Sequence, residues 1–100
     1  MGELVRYEAH DAVGTITLDS PHNRNALSRQ LVGELVDCLS VAAGDDAVRV
    51  VLMRSAGRVF CSGADLSEAA EGGMTQGAAA IVALQRQIVT LPKPVVARVD

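Results

Sequence analysis

Residues 50–66 read Val50-Val51-Leu52-Met53-Arg54-Ser55-Ala56-Gly57-Arg58-Val59-Phe60-Cys61-Ser62-Gly63-Ala64-Asp65-Leu66. Residues 48–53 form a nearly continuous apolar run, as expected for a strand covered on both faces. Residues 55–63 read as a loop containing Gly57 and Gly63, and residues 64–70 can start a short helix. A buried strand, a glycine-containing loop and a helix start in that order belong to an α/β sheet, where ligands bind at strand ends. The first turn of a helix carries unpaired backbone N–H groups and a partial positive charge. Such a place holds an anion, or a carbonyl oxygen that is becoming one. Gly63 removes the side chain where a substrate would approach the backbone. The alternative is a tight strand-to-helix connection with no ligand. Neither G-x-G-x-x-G nor G-x-x-x-x-G-K-[ST] occurs, so neither nucleotide fingerprint is present.

Working outward, Val5, Tyr7 and Ala9 alternate with Leu4, Arg6 and Glu8, which predicts a half-buried strand. His10-Asp11-Ala12 is a short turn. Residues 13–19 predict a second strand, antiparallel to the first, with Ile16 and Leu18 on one side and Thr15 and Thr17 on the other. Ser20-Pro21-His22-Asn23 is a cluster of turn formers. Ser28 is an N-cap for a helix through about residue 43. Leu27, Leu31, Leu35 and Leu39 recur every four residues with Cys38 and Ala42 beside them, while Glu34 and Asp37 fall on the wetter side. Gly44-Asp45-Asp46 closes that helix. Strand, helix, strand in this order is a βαβ unit, expected to be parallel and right-handed. Thr75 is read as the cap of a longer helix ending near Thr90, with Ala78, Ile81, Leu84 and Ile88 as its apolar stripe. Leu91-Pro92-Lys93-Pro94 ends it, because proline cannot continue a helix. Residues 94–99 predict a final strand. The pattern is ββαβααβ, and a last strand with no turn after it is expected of a chain cut short.

The chain has 100 residues, 49% of them hydrophobic and 21% charged, with a net charge of −3. That composition folds, which excludes wholesale disorder. It allows one domain. No apolar run reaches the ~18 residues of a membrane span, and the acid-containing start is unlike a secretory signal. Eight of the nine basic residues are arginine and they are scattered, so no basic face for nucleic acid is expected. Cys38 and Cys61 sit in apolar surroundings without CxxC spacing, the pattern of reduced core cysteines in a cytoplasmic protein. His10, His22, Cys38 and Cys61 have no metal-ligand spacing, so no metal site is expected.

Three segments carry a resemblance. Asn25-Ala26-Leu27 follows Pro21; Val48-Arg49-Val50-Val51-Leu52 leads into residues 57–66; and Lys93-Pro94-Val95-Val96-Ala97 follows. In that order they resemble the crotonase (enoyl-CoA hydratase/isomerase) superfamily, and residues 60–66 are the most specific part. The resemblance implies a spiral of ββα units, incomplete in this chain, in a homotrimer or hexamer. It implies acyl-CoA thioester substrates, with coenzyme A as part of the substrate and no other cofactor. It makes the backbone N–H of Ala64 one of two oxyanion-hole donors, and places Arg24, Ala26, Ser62, Asp65 and Leu66 along the CoA site. The second donor and the acid/base carboxylates of hydratases come later in the family. Residues 1–100 are therefore expected to be the N-terminal part of one crotonase-like domain, stopping before the second oxyanion-hole segment.

The default activity so implied is enolate stabilisation leading to hydration of a 2-enoyl-CoA. Isomerase, hydrolase and synthase reactions share the oxyanion hole, and a non-catalytic CoA-binding scaffold is the alternative from another class. Arg24 is suited to phosphate because guanidinium meets it as a fork, against the alternative of a solvated loop arginine. His10 and His22 read as turn residues, Cys61 as a packing residue. Asp65 suits the positive end of a helix, and Glu68 reads as part of a solvated helix face.

Overall fold

The computed structural model describes residues 4–19, 28–56 and 74–98, with the backbone alone at 74–78 and 80. Strands β1 (Val5–His10) and β2 (Val13–Leu18) form a hairpin. Helix α1 (Arg29–Gly44), strand β3 (Val50–Ser55), helix α2 (Met74–Thr90) and strand β4 (Val95–Ala97) follow. The sheet order is β1-β2-β3-β4. β1 is antiparallel to β2, and β2, β3 and β4 are mutually parallel. The expected short helix over 64–70 lies outside the described residues; the other elements stand in the expected order.

The hairpin turn is two residues, Asp11 and Ala12, both at positive φ (51° and 69°), with His10 paired to Val13. Two successive left-handed residues give the twist that joins right-twisted strands. In β2, Gly14, Ile16 and Leu18 are buried and the alternating threonines half-buried, as period-two reading requires. Val5 is buried, Tyr7 half-buried and Ala9 exposed, so β1 is covered at one end only.

Ser28 caps α1. Its Oγ accepts the Leu31 N–H at 3.1 Å and its carbonyl the Val32 N–H at 2.9 Å. Leu31, Leu35, Cys38, Leu39 and Ala42 are buried on the helix face that meets β1 and β2. Each large aliphatic side chain so buried contributes roughly 1.5–3 kcal/mol. Leu27, the first residue of the expected stripe, lies outside the described residues. Burial pushes the Cys38 thiol above its usual pKa, with Asp37 and Glu34 adding to the rise, so Cys38 is a protonated packing residue.

β3 starts at Val50, two residues later than expected. Asp45 is the reason: its Oδ1 accepts the Ala47 N–H at 2.9 Å and its carbonyl the Val48 N–H at 3.0 Å. These donors are held in a turn rather than in the ladder. Val51 and Met53 are buried, whereas Val50 and Leu52 are half-buried, so β3 alternates in burial instead of being covered equally on both faces. α2 begins at Met74, one residue ahead of the expected cap Thr75. It lies against α1, with Leu84 buried and Ile81 and Ile88 half-buried. Gln87 Nε2 donates to the Val36 carbonyl and to Ser40 Oγ, each at 3.3 Å. β4 is three residues long; of the expected 94–99, Pro94 and Arg98 fall outside it and Val99 lies outside the described residues.

Candidate functional site

The parallel strands place their carboxyl ends along one edge of the sheet. Leu18 pairs with Ser55, and the Ala56 N–H donates to the Leu18 carbonyl at 2.9 Å. Asp19 N–H donates to the Leu4 carbonyl at 2.7 Å, and Arg98 N–H to the Met53 carbonyl at 2.8 Å. Adjacent strands lie about 4.8 Å apart, so the chain leaves β2 and β3 at neighbouring points. Residues 20–27 connect Asp19 to Ser28, and residues 57–73 connect Ala56 to Met74. Both connections start from the carboxyl ends of parallel strands, the edge at which open α/β sheets bind ligands.

Arg24 and Ala26 belong to the first connection; Ser62, Ala64, Asp65 and Leu66 belong to the second. All six, with His22, Cys61 and Glu68, lie outside the described residues. The described residues fix where the two connections begin and end. Asp19, the last described residue before the first connection, is paired with Arg6. Their side chains are 19% and 72% exposed, and a pair open to water on one side adds at most about 1 kcal/mol. Ser28, at the far end, is buried and spends its hydroxyl on the helix cap. His10 is exposed and lies 3.2 Å from the Asp11 carboxylate, at the opposite end of β1 from Arg6. Among the described residues, no group of three or more His, Cys, Asp or Glu is gathered as a metal ion needs, and no helix is long and apolar enough to cross a membrane.

Two charged residues act in ways that periodicity does not show. Glu34 Oε1 accepts the N–H groups of Leu4 and Val5, both at 2.9 Å, and Glu34 Oε2 accepts from Gln30 Nε2 at 2.8 Å. Glu34 thus reaches the sheet instead of facing water. Burial raises its pKa, but the bonds from Gln30, Leu4 and Val5 outweigh that and leave it below the ordinary value. Lys93 Nζ donates to the carbonyls of Ala42 and Asp45 at 2.7 and 2.6 Å. The available signals were small: a Gln30–Glu34 pair at i,i+4, and a lone lysine between prolines following a helix with no base in its last turn.

Residues 8–100 match a family described as enoyl-CoA hydratase/isomerase. A Mycobacterium tuberculosis protein named as a candidate enoyl-CoA hydratase, EchA13, is 45% identical over 69 residues, spanning 67% of this chain and 22% of that protein. The crystal structure of an enoyl-CoA hydratase from Mycobacterium avium superposes with a TM-score of 0.89 at 42% identity, covering 100% of this chain and 40% of the other. That of an enoyl-CoA hydratase from Bacillus anthracis superposes with a TM-score of 0.88 at 31% identity, covering 95% and 39%. The chain therefore spans about two fifths of the length of these solved relatives and less than a quarter of the curated one.

Proposed function

The chain belongs to the enoyl-CoA hydratase/isomerase family and has its mixed α/β fold, and from that premise we propose that it is the N-terminal part of a subunit that binds acyl-CoA thioesters and stabilises their enolates. Hydration of a 2-enoyl-CoA is the reaction proposed. One observation carries the reading: the connections holding Arg24 and Ala26, and Ser62 to Leu66, both start at the carboxyl edge of the parallel strands, where Leu18 faces Ser55.

In the proposed mechanism the thioester carbonyl oxygen accepts the backbone N–H of Ala64. Water gives one proton to a carboxylate base and adds its oxygen to C3 as a hydroxyl, the double-bond electrons move onto the thioester as an enolate, and a carboxylic acid then delivers a proton to C2, so that one water is added in all. Negative charge on the oxygen peaks in the enolate, so a donor already aimed there lowers the barrier without reorganising. Arg24 pairs with a CoA phosphate, and Ala26, Ser62, Asp65 and Leu66 line the CoA. The second donor and the acid/base carboxylates belong, on this reading, to the remainder of the subunit. Coenzyme A arrives as part of the substrate and no further cofactor takes part. A cytoplasmic homotrimer or hexamer is the assembly proposed.

The test is a pair of substitutions in the whole subunit. Ala64→Pro deletes the N–H; proline is tolerated in a first helical turn, although it restricts Gly63. Ala64→Gly keeps the N–H. We expect Ala64→Pro to fold and bind CoA while losing about 10²–10³ in kcat, and Ala64→Gly to stay within about tenfold of the wild type. Equal turnover by the folded proline variant and the glycine control removes Ala64 from the oxyanion hole.

A further inference from the structure

β4 is only three residues long, and the segment ahead of it is poor in donors. Pro92 and Pro94 flank Lys93 and carry no N–H. The ends of the β3–β4 ladder are closed by the Val51 N–H on the Pro94 carbonyl at 2.9 Å and the Arg98 N–H on the Met53 carbonyl at 2.8 Å. So short a strand gains little from pairing alone.

Across the sheet edge, α1 ends with no basic residue in its last turn, leaving the negative end of the helix to find a cation elsewhere. Lys93 supplies it. Its Nζ donates to Ala42 O at 2.7 Å and to Asp45 O at 2.6 Å. Asp45 O also accepts the Val48 N–H at 3.0 Å, so the same carbonyl serves the turn that launches β3. The side chain is half-buried, where charge-assisted bonds are strengthened. The bonds span 51 and 48 residues of sequence.

We propose that Lys93 is a positioning residue: by fixing the start of β4 to the turn that starts β3, it keeps the carboxyl ends of the two parallel strands level. The partners Val51–Val95, Leu52–Val96 and Met53–Ala97 run in step from that anchor. The catalytic consequence rests on the enolate reading above, because the segment following β4 is where the family resemblance places the second oxyanion donor. Lys93 does not touch the substrate; it acts through the height at which that segment leaves the sheet.

Amide hydrogen exchange and steady-state kinetics on the whole subunit test this. Lys93→Met keeps the length and removes the donor; Lys93→Arg keeps charge and donors. We expect Lys93→Met to speed exchange at the Val51 and Arg98 amides by about tenfold or more while β1–β2 amides change less than about twofold. kcat is expected to fall about tenfold with KM within about twofold, and Lys93→Arg to restore most of both effects. Unchanged exchange at Val51 and Arg98, or an equal rise at all amides, overturns the proposal. Local exchange without a change in kcat overturns its catalytic part. A wild-type subunit without acyl-CoA turnover defeats the enolate reading alone, since exchange still decides the role of Lys93. If Lys93→Met does not fold, Lys93→Gln is read by the same criteria.

Discussion

The carboxylate of Glu34 on α1 accepts the backbone N–H of Val5 on β1 at 2.9 Å. The same Oε1 atom takes the Leu4 N–H, so one helix side chain satisfies two consecutive donors at the strand's start. Replacing Glu34 by Ala leaves both without that acceptor. The expected loss is about 1–3 kcal/mol, since the bonds are to a charged group, measured by denaturant unfolding. The pH dependence follows from the lowered pKa. A depressed folded-state value means the contribution is fully present above the ordinary glutamate range. It is lost as pH falls through the folded value. A Glu34→Gln variant should lose this acid-side slope; an unchanged slope would assign it to other carboxylates.

Gly14 is required by its neighbours. A Cβ there would lie 2.9 Å from the Tyr7 hydroxyl oxygen, 3.2 Å from its Cε1 and 3.1 Å from Val48 Cγ1. Gly14→Ala is expected to cost about 1–3 kcal/mol through overpacking. The Tyr7 hydroxyl is buried with no hydrogen-bond partner among the described residues, so Tyr7→Phe is expected to be neutral or stabilising. The double variant should recover part of the Gly14→Ala loss, because removing the hydroxyl clears the closest contact. Thermal melts of the four proteins give the coupling energy; strict additivity would contradict the packing argument.

Ala12 sits at φ 69° without being glycine. A left-handed alanine costs about 1–2 kcal/mol, partly offset by the greater unfolded-state freedom of glycine. Ala12→Gly should therefore stabilise by about 0.5–1 kcal/mol. Ala12→Val should destabilise, since a branched Cβ is worse in that region. Midpoints of urea unfolding should rank the proteins Gly, Ala, Val; any other order would show that the turn has a different backbone in solution.

Arg24 is proposed as a phosphate partner of CoA. A contact equal in ground and transition states changes KM and leaves kcat. In the whole subunit Arg24→Ala should raise KM with little change in kcat. The difference from wild type should shrink at high salt, as exposed charge contacts are screened. An unchanged KM for CoA thioesters would return Arg24 to the solvated loop residues.

The helix that Ser28 caps was legible because a cap and a four-residue leucine spacing act within one or two turns. The hairpin was legible for the same reason, through alternation and a short turn. One boundary moved where a side chain and a carbonyl intervened, since Asp45 holds Ala47 and Val48 out of the β3 ladder; β4, for its part, pairs over three residues. Glu34 read as a wet-face residue because helical periodicity reports which face a position occupies. It does not report that the strand's start lies within reach of the Glu34 carboxylate.

The order of the described strands and helices, the capped helix and the family motifs were determined by the sequence itself, since each depends on neighbours a few positions apart. Tertiary structure alone decided three things: that Glu34 meets Leu4 and Val5 from 30 and 29 residues away, that Lys93 closes α1 from 51 residues beyond Ala42, and that a side chain at position 14 would strike Tyr7 and Val48. The physical reason is common to all three. A charged head on a flexible stem, or the empty space beside a glycine, takes its partner from whatever packing brings near, and packing is set by the whole core rather than by any local run of residues.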